Sequence, residues 1–249
     1  SFLSVGLWWA GWAQIAFRRL PNTTASGKEG LDNVLASGYR ELRKTWLQLN
    51  KTVRLKRYLI AFFVLNMGIQ TVMYLAANFA KQEVKELNDE GAVVAISDAS
   101  LITSILIIQL VAIAGALAFV QLSKRVGNVR ALMIGAFIWI GACLFAFTIR
   151  WATEFYALAV LVGLIMGGSQ ALSRSTYAKF LPETKDTASF FSFYDVSYYV
   201  GTVLGTAAYG TVYAVTGDLR LTIIAIGSFF VLGLILLMRV PKEEVPVAA

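Results

Sequence analysis

One carboxylate stands out among the residues of this chain that could do chemistry. Asp195 lies in the run FFSFYDVSYYVG, and no other acidic residue falls well inside an apolar segment. A carboxylate in such surroundings is costly unless it faces water or an opposite charge, and its proton affinity changes readily with its surroundings. We therefore predict that Asp195 responds to a proton or cation, or binds the ammonium group of a solute. The alternative is a structural ion pair with Arg174.

Further polar residues lie beside Asp195 at helical spacing. Tyr198, Tyr199 and Thr202 follow it by three, four and seven residues, which places all four on one helical face. These residues are predicted to line the same solute or ion pathway.

A second polar stripe runs along the segment RYLIAFFVLNMGIQTVMYLAANFA. Its members are each four residues apart: Asn66, Gln70, Tyr74 and Asn78. This spacing predicts a helical face that borders a polar cavity. The alternative is hydrogen bonding between helices without a transport role.

Three polar residues close the segment that precedes Asp195. Gln170 is assigned to the pathway, whereas Ser173 and Arg174 are predicted to belong to a cytoplasmic gate. Arg174 could bind an anionic group or lock that gate; the alternative is that it extends to lipid headgroups.

Small residues recur at helical intervals in the same region. The glycines predicted to let helices pack closely are Gly163, Gly167, Gly168, Gly201 and Gly205.

Composition places the chain in a membrane. It is 57% apolar and 15% charged, against about one quarter charged in soluble domains. The chain has no histidine, and its one cysteine, Cys143, lies in an apolar run, so no metal site or cofactor is predicted. Paired carboxylates within the membrane are also missing, which argues against an enzyme.

The expected fold is an all-α polytopic membrane protein. Residues 1–17 are interpreted as the end of a preceding transmembrane helix, and 18–57 as a basic linker. Residues 58–240 are predicted to hold six membrane helices, and 241–249 to form a tail. The six predicted spans are 58–79, 98–122, 131–149, 155–178, 188–215 and 220–239.

The distribution of basic residues predicts the orientation. Eighteen of the 22 Lys and Arg residues fall on the side of the linker, which places linker and tail in the cytoplasm. Within the linker, apolar residues from Leu31 to Val53 recur at helical spacing among basic residues, which predicts an amphipathic helix at the membrane surface. That helix is interpreted as a tether between two halves of one protein, or alternatively as a lipid-sensing or regulatory element.

Two stretches carry a family resemblance. The turn QLSKRVGNVRAL resembles the short loop motif of the major facilitator superfamily at Leu122, Arg125 and Gly127, although Lys124 stands where that motif has Asp. The runs GGSQALSRSTYAKFLPE, FFSFYDVSYYVG and NMGIQTVMYLA resemble the branch of the superfamily that contains the autophagy-linked vacuolar amino-acid effluxer and its bacterial relatives.

The resemblance implies the C-terminal half of an alternating-access transporter. The expected function is secondary transport of a small polar solute such as an amino acid, coupled to protons or another cation, with Arg125 as part of the cytoplasmic gate. The expected partners are the solute, membrane lipid and a missing N-terminal six-helix half, with self-association of the fragment and no nucleic acid. The expected location is the bacterial inner membrane. The alternative is a membrane scaffold or receptor that does not transport.

Overall fold

The computed structural model describes residues 2–19, 31–88, 90–182 and 187–242. The chain divides into two compact units, Ser1–Arg40 and Glu41–Ala249. In the first unit, helix α1 (Phe2–Arg19) ends at two arginines and buries none of its residues. Residues 20–30, part of the predicted basic linker, lie outside the described residues.

Long apolar runs fold into helices, as the sequence predicts. The helices after α1 are α2 (Leu31–Leu49), α3 (Val53–Glu83), α4 (Asp98–Val126), α5 (Asn128–Thr148), α6 (Ala152–Phe180), α7 (Thr187–Thr216) and α8 (Leu219–Met238). The predicted all-α membrane architecture is confirmed.

Five of the described helices are long and apolar enough to cross a membrane: α3, α4, α5, α6 and α8. Helix α7 has the length, at 30 residues, but its many Tyr, Ser, Thr and Gly residues make it less apolar. Its passage through the membrane therefore remains a prediction.

The linker helix is shorter than predicted. Helix α2 ends at Leu49, the chain turns, and Val53 begins α3 instead of continuing α2. The apolar face of the last part of α2 packs on the helix bundle, where Thr45 and Leu49 are buried. Trp46 and Leu47 remain 43% and 55% exposed, so the location of this helix at a membrane surface stays a prediction.

Close helix packing involves the small residues of α6 and α7. A Cβ atom on Gly163 would lie 2.8 Å from the carbonyl oxygen of Ile108 in α4, and one on Gly167 would overlap the backbone of Ala112. Gly168 lies against the ring of Phe119, also in α4.

The glycines of α7 lie against α3. Gly201 faces Phe63 and Asn66, and Gly205 faces Met67 and Thr71. Because the glycines lack side chains, the backbones of α7 and α3 can approach closely in the turns of α7 that follow Asp195.

A small hairpin marks one end of the bundle. Strands β1 (Lys85–Leu87) and β2 (Val93–Ala95) pair in antiparallel fashion, and the turn between them contains Gly91 at a φ of 77°. These strands are not among the elements predicted from the sequence. We call this the hairpin end of the bundle, and the opposite end, where the last part of α2 docks, the linker end.

Candidate functional site

An open cleft lies on one side of the bundle, between α3, α6 and α7. Its volume is about 320 Å³. Its walls are formed by Phe62, Asn66 and Ile69 from α3, by Ser169, Gln170, Ser173 and Arg174 from α6, and by Tyr194, Asp195, Tyr198 and Tyr199 from α7. Most residues predicted for the pathway and gate therefore meet in one place.

A single ion pair crosses the cleft. Nη2 of Arg174 lies 3.7 Å from Oδ1 of Asp195, and the two side chains are 60% and 46% exposed. At this distance and exposure the pair contributes little to stability, about 0–1 kcal/mol. The charges compensate each other, but each remains accessible to a solute in the cleft.

Aromatic rings surround the guanidinium of Arg174. Its Cζ atom lies 5.7 Å from the ring centroid of Phe191 and 5.9 Å from that of Tyr194. Tyr194 in turn stacks on Phe62, with centroids 4.4 Å apart. These contacts hold the arginine at the cleft by attraction between cation and ring.

Two members of the polar stripe in α3 bind α7. Asn66 donates a hydrogen bond of 2.8 Å from Nδ2 to the carbonyl of Tyr198, and Gln70 donates to the Tyr198 hydroxyl. Both amides are buried, and Oε1 of Gln70 has no hydrogen-bond partner among the described residues. Asn66 still lines the cleft, whereas Gln70 does not.

Three further members of the predicted pathway, Tyr74, Asn78 and Thr202, do not line the cleft. Tyr74 is 65% exposed, and Asn78 accepts a hydrogen bond from Gln82 in its own helix. Thr202 donates to the carbonyl of Tyr198 one turn before it. Gln170 does reach across the cleft, with Nε2 3.2 Å from the sulfur of Met73.

The predicted gate is divided. Arg174 and Ser173 lie at the cleft, but Arg125 is exposed near the end of α4 and does not line it. The carbonyl of Ser173 accepts a hydrogen bond of 2.8 Å from the buried Tyr58 hydroxyl, which ties α3 to α6.

The chain matches the family model described as vacuole effluxer Atg22 like, over residues 1–248. It belongs to the Atg22-like effluxer family. The resemblance predicted from the sequence is thereby confirmed.

Several relatives are similar over almost the whole chain. An uncharacterized MFS-type transporter, YxiO of Bacillus subtilis (strain 168), is 24% identical over 243 residues, which cover 98% of this chain and 54% of YxiO. Autophagy-related protein 22 of Kluyveromyces lactis is 27% identical over 260 residues, covering 97% of this chain and 49% of that protein. The chain spans about half the length of these curated relatives, and neither is named as an enzyme.

Three aromatic residues of this Atg22-like chain were missed by sequence reasoning. Phe62 and Tyr194 form a wall of the cleft, and the Tyr58 hydroxyl joins α3 to α6 beside it through the Ser173 carbonyl. Tyr194 directly precedes Asp195 and follows Phe191 by three residues, so helical spacing could have indicated an aromatic patch beside the carboxylate. Phe62 and Tyr58 carry no such local signal.

Proposed function

We propose that this chain forms one half of a secondary transporter that moves a small polar solute, with amino acids as the first class to test. The observation that carries the proposal is the open cleft with one exposed carboxylate, one exposed guanidinium and a wall of aromatic rings. Membership of an effluxer family supports it.

The chemistry of the cleft suits a zwitterion. Asp195 would take the ammonium group of an amino acid, and Arg174 would take its carboxylate. The apolar walls provided by Phe62 and Ile69 would receive a side chain. Since the ion pair between Asp195 and Arg174 is long and exposed, a solute that replaces it loses little.

Coupling to a proton or cation would act through the same carboxylate. A proton on Asp195 would remove its attraction for both Arg174 and a solute ammonium. Solute binding and protonation of Asp195 would then depend on each other. An alternating-access transporter that couples solute movement to proton movement requires such a dependence.

A second half is needed to complete the site. Arg174, Asp195 and Tyr199 are all exposed on the open side of the cleft, and polar groups facing lipid are costly. We propose that an N-terminal six-helix half, or a second copy of this chain, covers them. The positive-inside rule then favours a cytoplasmic linker.

A scaffold or receptor without transport is the second candidate. The observation that favours it is the burial of Asn66 and Gln70 in hydrogen bonds to Tyr198, because a polar stripe used for packing needs no aqueous path.

The test is solute-driven proton movement in proteoliposomes that contain the intact protein and an internal pH dye. Amino acids and small peptides are screened, first with the native protein and then with Asp195→Asn. We expect an amino acid to drive a proton flux that falls at least tenfold, on the order of 1.4 kcal/mol or more, in the variant.

Asp98→Asn is the matched control. Asp98 is also an exposed carboxylate in an ion pair, with Lys81 at 2.8 Å, but it lies at the hairpin end. Its substitution is expected to leave the flux unchanged. Absence of flux with every solute, from folded protein, would favour the scaffold. Flux that survives Asp195→Asn would leave Asp195 outside the coupling step.

A further inference from the structure

The last part of α2 is attached to the same helix that carries Asp195. We call Glu41–Leu49 the docked segment. Oε2 of Glu41 accepts a hydrogen bond of 2.9 Å from the Ser189 hydroxyl in the first turn of α7. The Trp46 ring stacks on Phe193 one turn later, with centroids 5.9 Å apart and planes at 29°.

These contacts lie at the edge of the docked segment, where Glu41 is exposed and Trp46 is 43% exposed, beside a buried side formed by Thr45 and Leu49. Thr45 is 2% exposed and Leu49 1%, whereas Leu47 on the opposite face is 55% exposed. The segment is therefore packed along one face and joined to α7 at its edge. It lies directly before α3, so the segment connects the beginnings of two cleft-forming helices.

The attachment points are close to the cleft along the α7 helix. Ser189 precedes Asp195 by six residues and Phe193 precedes it by two. Between them, the carbonyl of Phe190 accepts a hydrogen bond of 2.7 Å from Tyr177 of α6, and the Phe191 ring lies against Arg174. A shift of the first two turns of α7 would thus move Asp195 relative to Arg174.

We propose that the docked segment is a latch, in which Glu41 and Trp46 act as positioning residues for the ion pair between Asp195 and Arg174. While the segment is docked, the linker end of α7 stays against α6 and access to the cleft from that end is restricted. Release of Glu41 and Trp46 frees the end of α7 and opens the cleft toward the linker side. This inference deepens the proposed function, since it concerns access to the same cleft.

The test measures access to the cleft without any solute. Tyr199→Cys places a thiol on the cleft wall, in the intact protein from which other cysteines, Cys143 included, have been replaced. Native and inverted membrane vesicles are treated with a membrane-impermeant thiol reagent, and the modification rate is measured from each side.

In Trp46→Ala we expect modification from the linker side to be roughly tenfold faster, which corresponds to about 1.4 kcal/mol in the docking equilibrium. Trp46→Phe retains a stacking ring and should restore the native rate. Glu41→Ala should also raise the rate, whereas Glu41→Gln, whose amide oxygen still accepts the Ser189 hydrogen bond, should not. Leu47→Ala, on the outward face of the same helix, is the matched control and should behave as the native protein.

An unchanged rate in both Trp46→Ala and Glu41→Ala would overturn the latch, as would an equal increase in Leu47→Ala. A purely structural role would lower the melting temperature in these variants without changing the modification rate. If Trp46→Ala does not fold, the pair Glu41→Ala and Glu41→Gln carries the same test. Because no solute is used, failure to find a transported amino acid would leave this result intact and would count only against the proposed function.

Discussion

Arg220 holds three helices together at the hairpin end, and its removal should be costly. Its Nε donates to Oε2 of Glu83 at 2.8 Å, and its terminal nitrogens donate to the carbonyls of Phe147 and Ile149. The residue thereby joins the start of α8 to the ends of α3 and α5. The side chains of Arg220 and Glu83 are only 21% and 28% exposed.

The expected loss follows from these contacts. A hydrogen bond that involves a charged group contributes about 1.5–3 kcal/mol. Three are lost in Arg220→Ala, but the two carbonyls lie at a helix end and Glu83 can recover part of its hydration. We therefore expect the free energy of unfolding to fall by about 2–4 kcal/mol. Arg220→Lys keeps the positive charge, but a single ammonium group cannot donate to all three acceptors as the planar guanidinium does. We therefore expect about half of that loss of free energy in Arg220→Lys.

The assay is reversible unfolding of the purified intact protein in mixed micelles with increasing SDS, followed by helical circular dichroism. Lys81→Ala is the matched control at the same end of the bundle. The ion pair of Lys81 with Asp98 has the same 2.8 Å separation, but its side chains are 57% and 80% exposed. Lys81→Ala should therefore lower the free energy of unfolding much less than Arg220→Ala does. Equal losses in Arg220→Ala and Lys81→Ala would refute the reasoning from burial.

Two further predictions concern packing and pH. Gly167→Ala should destabilise the protein by about 1–3 kcal/mol in the same unfolding assay, because the added Cβ meets the Ala112 backbone, whereas Gly141→Ala enters open space and should be neutral or stabilising. Hydrogen bonds from Ser100 and Ser97 lower the pKa of Glu86. The ionised Glu86 accepts these hydrogen bonds, so they should hold the hairpin on α4 at any pH above the ordinary pKa of a glutamate. The attachment should weaken as the pH falls through the lowered pKa of Glu86. Hydrogen exchange of residues 85–95, corrected for intrinsic rates, should show this loss, and Glu86→Gln should abolish its pH dependence.

The helices could be predicted from the sequence because each depends on a long local pattern. The helices from α3 to α8 are 20 to 31 residues long, and all of them except α7 contain a stretch apolar enough to cross a membrane, so length and composition suffice for those five. The hairpin was missed for the opposite reason. Its strands have three residues each, too few to show an alternating pattern within an acidic stretch.

The polar stripe of α3, from Asn66 to Asn78, shows which part of the site could not be predicted from the sequence. Residues four apart on a helix differ by about 40° around its axis, so Asn66 and Asn78 differ by about 120°. A stripe of this length cannot face one cavity throughout. Asn66 consequently meets the cleft and α7, whereas Asn78 does not line the cleft and accepts a hydrogen bond from Gln82 in its own helix. Which member meets the cleft depends on Tyr198, far away in sequence, and no local pattern contains that information.

The two ends of the bundle are held by different kinds of contact. At the hairpin end, the mostly buried Arg220 binds Glu83 and two backbone carbonyls, and β1 is joined by a backbone hydrogen bond of 2.8 Å to Arg150. At the linker end, the contacts of α7 in the described part of the chain include an exposed ion pair at 3.7 Å and the Glu41 bond to Ser189, beside one buried hydrogen bond from Tyr177 to the Phe190 carbonyl. Buried, multiply bonded groups resist separation, whereas exposed single contacts exchange readily with water. We therefore expect movement at the linker end of α7, where Asp195 lies, while the hairpin end stays fixed. A protein whose hairpin end exchanged amide hydrogens faster than the first turns of α7 would contradict this division.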